Sequence, residues 1–342
     1  VVAAALVVGA CSSNTDPAEP AAAVVEESPE ATAVPTAEPE IEPRPEPTVA
    51  AAPCPSVPPG ATDTTLTVLG NAYDVRVFVP STFDGQAPLP VVLDWHGLGS
   101  NGTEQRLLSG YETLAEAEGF VVVHATGLPD DIGRPSWQLF DAPDSGRDDL
   151  AFADLLIDEL VANWCADPAR VYSTGMSNGG FFTARLVCER ADRLAAAVSV
   201  AGTYHLPDCT PARPVPYIAY HGTADVVVPF AGGDSILADD DPDSIQVEFF
   251  DQVMPAEFAE FADDSGCGAD PAVANVSDEV IRYDYTGCAD DVPMSFFEIT
   301  GGGHTWPNSP VAEVLGDALG YFTLDVDATV DGWAFMAEHS LD

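Results

Sequence analysis

From about residue 60 onward, the chain alternates short apolar runs with longer stretches of helical spacing. Thr65-Leu66-Thr67-Val68-Leu69 and Tyr73-Asp74-Val75-Arg76-Val77-Phe78-Val79 flank Gly70-Asn71, which reads as an antiparallel hairpin. Residues 91–95, 120–124, 171–174, 195–201 and 215–221 are runs of the kind that fill buried parallel strands, and 294–299 is also strand-like. Apolar positions at Leu107, Leu108, Tyr111, Leu114 and Ala115 predict a helix over 104–118. Leu150, Phe152, Ala153, Leu155, Leu156 and Leu160 predict a second over 148–164, and residues 325–340 read as a closing amphipathic helix. Strands alternating with helices imply right-handed crossovers and a mostly parallel, doubly wound α/β sheet, with the hairpin antiparallel at its start.

The chemistry sits where the predicted strands end. Gly175-Met176-Ser177-Asn178-Gly179 follows one strand and enters a helix. A serine at a sharp strand-to-helix corner needs neighbours without side chains, which is the logic of a nucleophile elbow in an α/β-hydrolase fold. A serine hydroxyl is a weak nucleophile and requires a base. Of the six histidines, His304 lies in the glycine-rich loop Gly301-Gly302-Gly303-His304, beyond the 294–299 strand. Asp225 lies just past the strand ending at His221, where a carboxylate can orient His304; Asp208 and Asp234 are fallbacks. His96 and His221 each precede a glycine and are expected to shape their turns, while His124 reads as a core histidine and His339 falls in the last helix. An oxyanion needs backbone donors, and the expected pair is the N–H of Asn178 with that of Leu98 in the loop His96-Gly97-Leu98-Gly99. Trp306 and Trp137 are candidate walls of an acyl or aryl pocket.

Three segments carry a resemblance: Arg170 through Gly180, His221-Gly222-Thr223-Ala224-Asp225, and Gly301-Gly302-Gly303-His304-Thr305-Trp306-Pro307. With them, the chain from about residue 60 resembles the polyhydroxybutyrate depolymerase and feruloyl esterase group of secreted α/β-hydrolases. The resemblance implies cofactor-free hydrolysis of carboxylic esters, either short polyesters of hydroxy acids or cinnamoyl esters of plant polysaccharides. Leu98 and Ser100 stand where polyester-cleaving relatives often carry Cys and Gln, which leaves the substrate class open. A serine peptidase of the same fold and a non-catalytic envelope-binding lipoprotein are the competing readings.

Composition refines this picture. Residues 1–10 read as the end of a lipoprotein signal peptide, with Cys11 as the lipidated residue anchoring the chain to a membrane. Residues 11–53 form a Pro/Glu/Ala-rich linker too poor in apolar residues to build a core, and 54–342 are expected to be one catalytic domain. Of the seven cysteines, six remain for disulfides, expected as Cys267–Cys288, Cys188–Cys209 and Cys54–Cys165, in an exported protein. No spacing suggests a metal site, and the acidic run Asp239-Asp240-Asp241-Pro242-Asp243 reads as a solvated loop. A net charge of −45, with every basic residue an arginine, argues against nucleic acid as a partner. An ester substrate and a monomeric state are expected.

The same charge predicts a salt response. Self-repulsion destabilises the compact state, and screening over about 10 Å at 0.1 M salt relieves it. The melting temperature should therefore rise between low salt and roughly 0.5 M NaCl with EDTA present, while turnover of a neutral ester changes little. A flat or falling melting curve would show that the acids are too dispersed to matter.

Overall fold

A computed structural model describes residues 54–141, 145–233, 235–236, 253–309, 311 and 319–341. The chain divides into two units, Val1–Ala50 and Ala51–Asp342, and every described residue falls in the second. The signal segment, Cys11, the linker, Asp234 and the 239–243 run lie outside the described residues.

Ten strands form one sheet in the order β1-β2-β4-β3-β5-β6-β7-β10-β9-β8. The hairpin β1 (Gly60–Val68) and β2 (Asn71–Val79) runs antiparallel onto β4 (Val121–Ala125). The centre is parallel: β4, β3 (Leu89–Trp95), β5 (Ala166–Met176), β6 (Ala196–Val200), β7 (Tyr217–Gly222) and β10 (Met294–Ile299). At the far edge β9 (Val280–Tyr285) and β8 (Ala272–Asn275) return antiparallel. This is the α/β sheet with an antiparallel N-terminal hairpin that the apolar pattern predicts.

Both faces are covered, so β4, β6 and β7 are buried throughout, as continuous apolar runs require. On one face, α3 (Asp149–Asn163) and α4 (Asn178–Glu189) pack an aromatic cluster of Tyr73, Trp95, Trp137, Phe152 and Phe182. Tyr73 stacks on Phe152 at 4.0 Å, and Trp137 on Phe182 at 5.2 Å. Tyr111, Phe120, Tyr172, Trp306 and Trp333 fill the other face, with Phe120 stacked on Trp333 at 3.8 Å.

Local chemistry explains where the elements depart from the predicted spans. The helix expected over 104–118 is two, α1 (Gly102–Ser109) and α2 (Tyr111–Glu118), because Gly110 takes a left-handed conformation (φ 71°) and ends the first. Asn101 caps α1 through its side chain, which accepts from the N–H groups of Thr103 and Glu104. Helix α5 (Met254–Asp264) precedes β8. The closing helix is short, α6 (Val330–Met336), because the Asp327 carboxylate captures the N–H groups of Thr329 and Val330 and starts it late. Three disulfides, Cys54–Cys165, Cys188–Cys209 and Cys267–Cys288, cross-link the domain. The first spans 111 residues and the others 21 each, so loop entropy alone ranks it highest, about 5 against about 3 kcal/mol.

Glycines permit the close packing of β3, β5 and α4. A Cβ on Gly179 would stand within 3 Å of the Trp95 carbonyl, and one on Gly202 within 3 Å of the Ser177 carbonyl. Gly133, by contrast, has open space around it and only a positive φ of 91°. Gly179→Ala should therefore lower the melting temperature by about 10 °C or more, or prevent folding. Gly133→Ala should cost only about 1–2 kcal/mol, a few degrees. Equal losses in the two variants, measured by calorimetry, would contradict the close-packing account.

Candidate active site

Ser177 stands between β5 and α4 with φ 56° and ψ −122°, a conformation that costs of order 1–3 kcal/mol for a residue with a side chain. Its backbone is pinned on both sides. Ser177 N–H donates to Val200 O at 2.9 Å, and Phe181 N–H donates to Ser177 O at 2.9 Å. The helix behind it is buried from Asn178 to Cys188, so the corner is fixed by a central element. Ser177 itself keeps partial exposure where the parallel strands end. The N-terminus of α4, with its positive end of the helix dipole, faces the same point.

His304 reaches this end of the sheet on the loop after β10. Its Nδ1 lies 2.7 Å from Asp225 Oδ2, and its own N–H donates to Leu319 O at 2.7 Å. A segment at 319–323 braces that loop, with Gly303 N–H donating to Tyr321 O at 2.8 Å. Asp225 follows β7, and its second oxygen accepts from the N–H groups of Val227 and Val228, each at 2.8 Å. Burial alone would raise the Asp225 pKa. The positive end of His304, together with hydrogen bonds from His221 and His304, outweighs it and holds the carboxyl well below its ordinary range. Asp225 is thus a carboxylate, His304 Nδ1 is the donor, and Nε2 keeps the lone pair that a base requires. Asp208 is exposed on the loop after β6, and Asp225 holds His304.

The loop after β3 lies against the serine: a Cβ on Gly97 would sit 3.4 Å from Ser177 Cβ. His96 sets this loop. Its Nε2 accepts from Gly127 N–H at 2.9 Å, so the proton resides on Nδ1, which donates to Gly97 O at 2.7 Å. Burial pushes the His96 pKa down to about 4, which keeps the ring neutral, as that pair of bonds demands. Gly97 O also accepts from Ser100 N–H at 3.1 Å. In a trans peptide the N–H points away from the preceding C=O, so tying Gly97 O back to His96 turns Leu98 N–H the opposite way.

Both candidate pocket tryptophans are corrected by burial. Trp306 is 1 % exposed, with its indole N–H on Thr329 Oγ1 at 2.9 Å, and it packs edge-on to Tyr111 in the core. Trp137 is 2 % exposed beneath the loop of His96. Neither side chain has surface left for a substrate. Of the other histidines, His124 is buried 3.2 Å from Asp94 in the core. His221 Nε2 lies 2.9 Å from Val228 O and 3.4 Å from Asp225, bracing the carboxylate turn. His339 ends the chain's last helical turn, where its carbonyl accepts from the Tyr172 hydroxyl.

Sequence reasoning passed over Arg147 and Asp149, a buried ion pair beside this site. Its only signal was one arginine inside an acidic stretch. Among the described residues, His205, Cys209 and Asp264 bring metal-ligand atom types within 4.8 Å, but the Cys209 sulfur is bonded to Cys188 and His205 pairs with Asp264 at 2.7 Å. No helix among the described residues is long and apolar enough to cross a membrane.

Residues 84–237 match a family described as phospholipase/carboxylesterase. The chain is 30 % identical over 237 residues to feruloyl esterase B of Piromyces equi, covering 67 % of this chain and 42 % of that protein. It is 26 % identical over 263 residues to a bifunctional acetylxylan esterase/xylanase of Neocallimastix patriciarum, covering 77 % and 35 %. The chain thus spans well under half the length of these two relatives. A solved thermostable esterase shares the fold at 17 % identity and a TM-score of 0.50, over 82 % of this chain and 63 % of that one. The chain has the α/β-hydrolase fold, and its sequence is similar to feruloyl and acetylxylan esterases.

Proposed function

We propose that the protein is a serine-dependent carboxylic ester hydrolase working through an acyl-enzyme. The observation that carries the reading is the His304–Asp225 pair at 2.7 Å, on loops at the same end of the parallel sheet as the strained, partly exposed Ser177. Ser177 Oγ attacks the ester carbonyl while His304 Nε2 takes its proton. The oxyanion is received by the N–H groups of Asn178 and Leu98, reinforced by the dipole of α4. His304 returns the proton to the departing alcohol. A water, activated by the same imidazole, then releases the acid from Ser177.

The names of the relatives support acyl groups of the feruloyl or acetyl kind, and a polyester substrate remains the second arm of the test. An aromatic acyl group has a surface to meet. Phe140 and Tyr204 are half-buried on the loops after β4 and β6, edge-to-face at 5.7 Å, and Tyr204 lies two residues past Gly202, which packs on Ser177. Three disulfides support folding in an oxidising compartment. In our reading Cys11 anchors the enzyme at the cell envelope through a lipid, with the proline-rich segment as spacer.

Ser177→Ala and His304→Ala should each lower kcat on a p-nitrophenyl ester by on the order of 10⁴-fold with little change in melting temperature. Near wild-type turnover in Ser177→Ala would remove the elbow assignment. Asp225→Asn should also lower kcat strongly. Because Asp225 is held ionised far below neutrality, the acid limb of the kcat/KM profile should show a single protonation with no added carboxylate step. Two distinguishable acid ionisations would contradict that assignment.

Methyl ferulate, an acetate ester and hydroxybutyrate oligomers separate the substrate classes. Tyr204→Ala should lower kcat/KM for the ferulate by about 10-fold relative to the acetate, the loss expected of an aromatic contact. An equal loss on both esters, or hydroxybutyrate oligomers as the best substrate, would exclude the aryl reading.

A further inference from the structure

Trp137 binds the side chain of one proposed oxyanion donor, Asn178, and the start of the loop that carries the other, Leu98. Its N–H donates to Asn178 Oδ1 at 2.6 Å and its carbonyl accepts from Asn178 Nδ2 at 3.0 Å, a two-point grip on the residue that follows the nucleophile. Its indole N–H donates to His96 O at 3.1 Å, on the loop that carries Leu98. The indole stacks on Phe182 in the second turn of α4 and meets Trp95, the last residue of β3, edge-on at 4.9 Å. One side chain and its own peptide groups therefore connect α4 to the loop after β3.

Trp137 is in turn held on both sides by the buried Arg147–Asp149 pair. Arg147 binds the Ser136 carbonyl, and also Leu128 O at 3.1 Å and Ser136 Oγ at 3.3 Å. Asp149 Oδ2 accepts from Gln138 N–H at 2.8 Å, and Oδ1 from the Tyr73 hydroxyl at 2.6 Å. The pair's side chains are 11 % and 0 % exposed, and Arg147 Nε reaches the carboxylate at 2.9 Å. Residues 136 and 138 are thus fixed from α3 and the N-terminal hairpin, and the residue between them has little freedom.

We propose that Trp137 is a positioning residue that sets the spacing of the Asn178 and Leu98 donors, with the Arg147–Asp149 pair as its anchor. The proposal rests on the ester-hydrolase reading. Its role is played in the transition state: oxyanion donors act on charge that the ground-state ester lacks, so their misplacement lowers kcat and spares KM.

The test uses Trp137→Phe, which keeps an aromatic ring beside Phe182 and removes the indole N–H along with the five-membered part of the ring. Trp306→Phe, the same loss in the opposite core, is the control. Removing Arg147 or Asp149 outright would strand a buried charge and confuse stability with rate. On p-nitrophenyl acetate, Trp137→Phe should lower kcat by about 10- to 100-fold with KM within twofold. Its inhibition constant for phenylboronic acid, whose serine adduct is a tetrahedral anion, should weaken in parallel, while Trp306→Phe changes neither. Should Trp137→Phe not fold, Asn178→Ala is the second variant: it keeps its backbone N–H, removes both side-chain hydrogen bonds to the Trp137 backbone, and should show the same kcat and boronate losses.

A wild-type kcat in a folded Trp137→Phe or Asn178→Ala, a loss confined to KM, or an equal loss in Trp306→Phe overturns the proposal while leaving the hydrolase reading intact. A wild-type protein without Ser177-dependent turnover overturns the hydrolase reading, and the proposal falls with it.

Discussion

The site depends on one corner of backbone. Ser177 adopts a conformation that its side chain disfavours, and the strain persists because the surroundings leave no alternative. The Val200 carbonyl holds its N–H, and α4 holds its carbonyl through Phe181. Gly175, Gly179, Gly180 and Gly202 bring the backbones of β3, β5 and the loop after β6 into contact around it, at positions where any Cβ would collide with a carbonyl. A strain of order 1–3 kcal/mol is small beside the packing of a helix buried from Asn178 to Cys188. The corner is therefore kept, and the serine hydroxyl is lifted out of the core.

Two imidazoles on either side of that corner are held in opposite ways. His304 faces a carboxylate, which fixes its tautomer and turns Nε2 away from Asp225. His96 faces a carbonyl and an amide N–H in a buried place, and burial keeps it neutral. One ring is arranged to gain a proton and the other to keep its lone pair as a fixed acceptor. Coulomb forces at the site are local: Asp225 and Asp149 are each matched by their own donors, so the net charge of −45 acts on the fold's surface rather than on the chemistry.

What the sequence reveals follows from the range of the interactions. Apolar runs such as Val121–Ala125 announce buried strands because burial on both faces excludes polar residues. The serine corner is legible because its steric demand falls on neighbours in the chain. Gly110 splitting a helix is a local signal masked by the apolar spacing that continues across it. The edge strands β8 and β9 carry mixed, half-exposed positions, and their pairing with β10 decides them more than their own pattern. Trp137 and Trp306 look alike in sequence, each a tryptophan near a loop with catalytic residues. Only tertiary contacts separate a brace for the loop after β3 from a plug in the opposite core. The Arg147–Asp149 pair is invisible for the same reason, since its partners lie at Tyr73, Leu128, Ser136 and Gln138.

The central claim is that Ser177 is a nucleophile made reactive by His304. Covalent labelling with a fluorophosphonate, read by intact mass and peptide mapping, tests it most directly. The account predicts one adduct per chain, on the peptide carrying Ser177, formed rapidly in the wild type and slowed by orders of magnitude in His304→Ala. No adduct, an adduct on another residue, or labelling at an unchanged rate in His304→Ala would contradict it.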